Sequence, residues 1–263
     1  MNPRWVLVTG GGRRLGREFC MAFARAGWNV VCHYQSSFED AHQTCKAIEQ
    51  LGLQAVAVAG DLSKAVDREA LFAKATQATG RHLDALVNNA SVFEPDGGID
   101  LSAQLLHRQL EVNLVAPLHL GSLLARSVQV QAGANAPAVV HILDQKVFNL
   151  NPDYFSYTVS KLALERTVAL QAQALAPHVR VSAIAPGLIY VSGPQNEENF
   201  QRARSVNLLR SPINPVDVAR TAVFLAENES MTGVTLCVDK GQHLVPLERD
   251  IMFVTDQLLQ KPS

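Results

Sequence analysis

At 263 residues, 48% of them hydrophobic, the chain is long enough to bury the core of one large α/β domain. Its 23 basic and 24 acidic residues nearly cancel, which argues against a polyanion-binding track or an acidic tail and leaves nucleic acid an unexpected partner. The four cysteines, Cys20, Cys32, Cys45 and Cys237, lie far apart with no Cys-x-x-Cys spacing, so neither a disulfide framework nor a metal site is expected and a reducing cytoplasm fits best.

The chain passes from Met1-Asn2-Pro3-Arg4 straight into an apolar run, without the ordered basic, apolar and cleavage regions of a leader. No apolar run reaches the roughly 18 residues of a membrane span, so a soluble, untargeted protein is expected. From there, short β-rich runs alternate with longer helical patterns. Strands are predicted at 5–8, 29–32, 55–59, 85–88, 138–143, 179–184 and 234–238, and helices at 14–25, 41–51, 67–79 and 215–227. The strand runs are nearly continuously apolar, as parallel strands covered on both faces are, and a doubly wound α/β sheet in three layers follows. No linker or repeat divides residues 1–263, which predicts a single domain. Residues 189–207 form the long region of weak periodicity and are a candidate lid.

The first strand runs into Thr9-Gly10-Gly11-Gly12-Arg13-Arg14-Leu15-Gly16, a glycine-rich turn opening a helix, where backbone amides can hold a pyrophosphate. About 20 residues later, where an acid normally accepts the adenosine ribose hydroxyl, stands His33-Tyr34-Gln35-Ser36-Ser37. With no acid there, Arg13, Ser36 and Ser37 are candidates to hold a ribose phosphate, which favours NADPH over NADH. The alternative leaves Arg13 solvated and makes Ser36-Ser37 a helix cap. Asp61-Leu62 follows the third strand and is placed to meet adenine. Asn88-Asn89-Ala90-Ser91 follows the fourth, with Asn89 and Ala90 toward the ribose.

Tyr157 and Lys161 are four residues apart on a helical pattern and share one face, so the ammonium is expected to lower the tyrosine pKa while reaching the cofactor ribose. In combination, the Thr9 to Gly16 turn, Asp61, Asn88-Asn89-Ala90, Asn113, Tyr157, Lys161 and Pro186-Gly187 make residues 5–244 resemble the short-chain dehydrogenase/reductase family. The resemblance implies a Rossmann-like seven-stranded sheet, reduction by hydride from NADPH, Asn113 supporting a proton relay, cofactor contacts from Pro186, Gly187 and Leu188, and commonly a homotetramer.

Two departures from the common family pattern narrow the resemblance. Arg14 stands where a glycine is usual, and Asp144 stands thirteen residues before Tyr157 where a serine is usual. Both are similar to pteridine reductases, in which the arginine faces cofactor phosphate and substrate, the acid works with the tyrosine, and an aromatic at the position of Phe93 stacks on the pterin. Reducing a pterin requires protonating a ring nitrogen as hydride reaches the neighbouring carbon, and an acid beside the tyrosine suits that task. The expected arrangement has Tyr157 and Asp144 delivering the proton, Arg14 and Ser91 orienting the polar edge of the pterin, and Phe93 with the nicotinamide enclosing the ring.

Plainer readings make Phe93 core, Asp144 the cap of the turn leading to Asn149-Leu150-Asn151, and Arg14 the partner of Asp144 or Asp61. The substrate resembles dihydromonapterin, dihydrobiopterin or dihydrofolate. Tyr190 to Asn196 offers polar partners for a polyol, and Glu197-Glu198 disfavours an anionic tail if the lid faces the site. The end of the chain, 245–263, carries Ile251, Met252, Phe253 and Val254 and is expected to pack on this or a neighbouring subunit. Two rival functions remain. One is an NADPH-dependent carbonyl reductase of an oxoacyl or sugar-like ketone. The other is a non-catalytic NADP-binding sensor, against which Asn113, Tyr157 and Lys161 weigh, since a sensor needs no proton relay.

Overall fold

A computed structural model describes residues 4–128 and 135–259, with the side chains of 256–259 left aside. Seven strands, β1 (Trp5–Val8), β2 (Asn29–Tyr34), β3 (Ala55–Ala59), β4 (Ala85–Asn88), β5 (Ala138–Ile142), β6 (Arg180–Pro186) and β7 (Thr235–Val238), form one parallel sheet in the order β3-β2-β1-β4-β5-β6-β7. The helices are α1 (Arg14–Arg25), α2 (Phe38–Glu49), α3 (Ala65–Thr79), α4 (Ala103–Leu110), α5 (Ala116–Ser127), α6 (Phe155–Leu175), α7 (Glu197–Ala203), α8 (Pro215–Glu227) and α9 (Ile251–Leu259). This is the doubly wound arrangement expected. No described helix is long and apolar enough to cross a membrane.

Alternation within the apolar strands explains the three layers. Val6 and Val8 of β1 face a core with Phe19 and Phe23 of α1, Cys45 and Ile48 of α2, and Leu225 of α8. Trp5 and Leu7 face the opposite core, with Leu71 and Phe72 of α3 and Leu120 and Leu124 of α5. Each large apolar side chain fully buried in this way contributes roughly 1.5–3 kcal/mol.

Boundaries differ from the sequence reading where the ladder runs on past the predicted strand ends. His33 and Tyr34 extend β2 by pairing with Val58 and Ala59, and Ala185 and Pro186 extend β6 by pairing with Cys237 and Val238. Helix α2 starts at Phe38, three residues early, with Glu39 and Asp40 in its first turn, where acids complement the helix dipole. The candidate lid contains α7, a helix too short to show a periodicity. The last four residues of the predicted tail lie outside the described residues; the rest of it follows a short 3-10 turn, Gln242–Leu244, and contains α9. Strand order reverses between β1 and β4, so the crevice beyond their carboxyl ends is where ligands of such sheets bind.

Candidate active site

A cleft of about 670 Å³ opens at that edge. At one end the glycine-rich turn is held rigidly. Gly10 has φ of 62°, the left-handed region that suits glycine. A Cβ at Gly16 would lie 1.9 Å from the Gly10 carbonyl oxygen, so α1 packs on the turn only with glycine there. Thr9 Oγ1 accepts from the backbone amides of Asn89 and Ala90 at 2.9 and 3.0 Å, and Asn89 Nδ2 donates to the carbonyl of Thr9 at 2.9 Å. His33 adds a second tie. Its Nδ1 accepts from the Gly10 amide at 3.1 Å, and its Nε2 donates to the Gly60 carbonyl at 3.0 Å. That pair of bonds requires the neutral ring, and burial lowers the His33 pKa to about 4.

Arg13 is exposed at the N-cap of α1, and Ser37 occupies the N-cap of α2 without making a side-chain capping bond. Both line the cleft with Tyr34 and Ser36. Asp61 also lines it, held by Ser63. Arg14 has φ of 51°, the conformation a glycine would take at no cost. Its partner is neither Asp144 nor Asp61. Nη2 donates to the carbonyl of Val191 at 2.7 Å, and the guanidinium lies 5.3 Å from the ring centre of Tyr190, so Arg14 ties the turn to the lid.

At the other end, Asp144 follows β5 and Tyr157 projects from the first turns of α6. The Tyr157 hydroxyl donates to Asp144 Oδ2 at 3.0 Å, while Oδ1 accepts from the Lys146 backbone amide at 2.9 Å. Asp144 therefore caps the turn Gln145–Val147 with one oxygen and meets the tyrosine with the other. Burial raises the proton affinity of Asp144 against the lowering effects of the Lys146 amide and charge. Burial, and then the Asp144 charge, push Tyr157 well above the ordinary phenol range. The expectation that Lys161 lowers the Tyr157 pKa is thus corrected. Its ammonium lies 5.8 Å from the Tyr157 ring centre and donates to the Ile142 carbonyl at 2.7 Å, and burial lowers its own pKa to about 8.

Asn113, expected to support the proton relay, does not itself line the cleft. It sits on a single π-helical turn, Glu111–Val115, fully buried and behind the cleft. Its Oδ1 accepts from the Val92 amide and the Ser91 hydroxyl, and its Nδ2 donates to the Val92 carbonyl and Ser160 Oγ, which in turn donates to the Tyr157 carbonyl. These bonds join the segment after β4 to α6, which carries Tyr157. All the other residues predicted for the site line the cleft, including Leu15, Leu62, Ser91, Phe93, Pro186, Gly187 and Leu188.

Phe93 has both of its predicted aspects. It stacks on Tyr154 at 4.1 Å and meets Tyr157 edge-on at 4.7 Å, yet it remains in the cleft wall. Tyr190, Ser192 and Gly193 of the lid also line the cleft. Glu197 and Glu198 do not; they stand exposed in the first turn of α7. Sequence reasoning missed Gln145, Lys146, Tyr154, Asp250 and Ile251. Tyr154 carried one signal, its place three residues before Tyr157. Asp250 carried none, being a lone acid about a hundred positions from the loop it meets.

A family model described as Enoyl-(Acyl carrier protein) reductase matches residues 12–243, and the chain belongs to this family of short-chain dehydrogenases/reductases. The chain is therefore an oxidoreductase by family. Among solved structures, FolM alternative dihydrofolate reductase 1 from Brucella suis in complex with NADP has TM-score 0.86 and 37% identity, over 92% of this chain and 96% of that one. Dihydromonapterin reductase of Klebsiella pneumoniae is 28% identical over 92% of this chain and 98% of its own length. A 3beta-hydroxysteroid dehydrogenase 1 of Eggerthella lenta is 34% identical over 94% and 96%.

Proposed function

We propose that this protein is an NADPH-dependent dihydropterin reductase, producing a tetrahydropterin. The observation that carries the reading is the Asp144 carboxyl 3.0 Å from the Tyr157 hydroxyl, where burial raises the proton affinity of both. A ketone reductase needs one neutral hydroxyl at its carbonyl oxygen, whereas a ring nitrogen gaining a proton is served by an acid as well. Likeness to an NADP-bound alternative dihydrofolate reductase and to dihydromonapterin reductases supports the same assignment.

The cradle fits a dinucleotide phosphate, since it offers amides at a helix N-terminus, a Gly16 contact that excludes any side chain, and Arg13, Ser36 and Ser37 along the cleft. NADPH, when bound, supplies the hydride. In this reading Arg13, Ser36 and Ser37 take the ribose phosphate, Asp61 and Leu62 meet adenine, and Asn89, Ala90 and Lys161 take the ribose side. Tyr157 and Asp144 move the proton, Arg14 and Ser91 orient the polar edge of the pterin, and Phe93 supplies one wall of its slot. The homotetramer common in the family belongs to the same reading, and sedimentation of the purified protein checks it.

The likeness to a 3beta-hydroxysteroid dehydrogenase favours a second reading, a carbonyl reductase. The deciding experiment follows NADPH oxidation with dihydromonapterin, dihydrobiopterin, dihydrofolate and a panel of ketones, each repeated with NADH. Pterin-dependent turnover preferring NADPH is expected, with Asp144→Ser losing it. Turnover with ketones alone, or ketone activity gained in Asp144→Ser together with intact pterin turnover, overturns the assignment.

A further inference from the structure

The C-terminal segment enters the cleft from the far end of the chain, and the same loop that carries Asp144 pins it there. Arg249 Nε donates to both oxygens of Asp153 at 3.0 and 2.8 Å, its Nη2 donates to Oδ1 at 2.7 Å, and the Asp250 amide donates to Oδ2 at 2.7 Å. Tyr154 donates its hydroxyl to Met252 Sδ at 3.3 Å, and Asn199 of α7 donates to the Met252 carbonyl at 3.0 Å. So fixed, Asp250 lines the cleft, half-buried, and its Oδ2 accepts from the Lys146 ammonium at 3.3 Å.

Lys146 is the critical neighbour. It is buried to 3% exposure, and its backbone amide already donates to Asp144 at 2.9 Å. A buried ammonium left without an anion so close to Asp144 would pair with that carboxylate and hold it ionised. Instead its Nζ is turned to Asp250 and to the Asp153 carbonyl, the latter at 2.7 Å.

We propose that Asp250 is a positioning residue for the reaction: by holding the Lys146 ammonium on the C-terminal segment it weakens the pull of that charge on Asp144 and so favours the proton on the acid. The proposal deepens the reading of Asp144 as a proton donor and rests on it. The groups facing Asp144 are Tyr157 and Lys161 from α6, Lys146 from its own turn and Asp250 from the C-terminal segment. Those facing Asp250 are Lys146, Asp153, Arg249 and the two tyrosines. The charge of Asp250 favours the proton on Asp144 and that of Lys146 opposes it. Removing the Asp250 charge therefore acts twice in one direction, by losing an anion and by freeing a cation.

The test reads the proton and does not depend on turnover. In the full-length protein with NADP bound, the carboxyl carbon-13 resonance of Asp144 is identified by its loss in Asp144→Asn and followed with pH. In Asp250→Asn its midpoint is expected to fall by about one pH unit, the tenfold change that one charge within about 10 Å produces at an effective dielectric of about 20. Asp250→Glu restores it, and the alkaline limb of pterin turnover moves down with it. Mere loosening of the segment lowers turnover at every pH and moves no midpoint, so an unmoved midpoint in Asp250→Asn overturns the proposal. Lys146→Gln provides the converse should Asp250→Asn fail to fold. Its midpoint must rise, and an unmoved or lowered one overturns the proposal equally. Midpoints that move as expected in a protein that reduces no pterin overturn the functional reading and leave the electrostatic one standing.

Discussion

Asp61 and Asp144 follow two strands of the same sheet and line one cleft, yet their surroundings shift their proton affinities in opposite directions. Asp61 receives donors: the Ser63 hydroxyl at 2.7 Å, the Ser63 amide at 3.0 Å and the Lys64 ammonium at 3.3 Å. The Ser63 bonds hold its proton affinity below the usual carboxylate range. Asp144 has a donor on each oxygen too, but burial outweighs them and raises it. The difference is one of solvation more than of hydrogen-bond count. An acid near water with local donors is favoured as an anion and an acceptor; a buried acid beside a phenol binds its proton more tightly. One end of the cleft is thus built to hold, the other to react.

The largest expected effect tests the reacting end alone. Tyr157→Phe removes a hydroxyl that touches Asp144 and no part of the glycine-rich turn. It is expected to lower kcat for pterin reduction by roughly 10²–10⁴-fold, the range of general acid catalysis, with NADPH affinity changed less than about threefold in a fluorescence titration. Strongly weakened NADPH binding would break the division between the two ends.

Gly16→Ala tests the holding end and should give the reverse pattern. The new methyl would sit 1.9 Å from the Gly10 carbonyl and 2.8 Å from Asn89 Nδ2, so the turn or α1 must shift. Overpacking of this kind costs about 1–3 kcal/mol or more, and because it strikes the amides that face the phosphates, NADPH binding is expected to weaken at least roughly tenfold. The same titration checks it. Unaltered binding would mean that the close approach of α1 to the turn is not what shapes the cradle.

The holding end was almost fully legible in the sequence, because a phosphate cradle is made by consecutive residues: a strand, a glycine-rich turn and a helix start have a local pattern. The strands were legible for the same reason, each being a short apolar run between turns. The reacting end was legible only as far as Asp144, Phe93, Tyr157 and Lys161 go. Burial raises the proton affinity of Asp144, and the groups around it include Lys146 and Asp250, which pair 104 residues apart; no local pattern announces a contact of that range. The same holds for Asn113. Its type and position match the family, but the direction of its amide depends on the π-helical turn and on Ser160 from α6. The tyrosine pKa was misjudged because helical spacing places Lys161 on the right face and says nothing of the carboxylate nearer to the hydroxyl.

The smallest effect sharpens the comparison at the residue shared by both ends. Arg14 belongs to the holding turn but bonds to the lid over the reacting end. Its φ of 51° costs a residue with a side chain about 1–2 kcal/mol, while the exposed hydrogen bond to Val191 returns roughly 0.5–1.5 kcal/mol. Arg14→Gly relieves the first and loses the second, so the urea midpoint should move by the equivalent of less than about 1 kcal/mol. Arg14→Ala keeps the strain and loses the bond, and should be the less stable of the two variants. If the lid contact is what Arg14 contributes to the substrate, both variants raise the KM for pterin several-fold and by similar amounts. If glycine restores the parent KM and alanine does not, the arginine is there at the expense of the turn's backbone alone, and the tie between the two ends lies elsewhere in the lid.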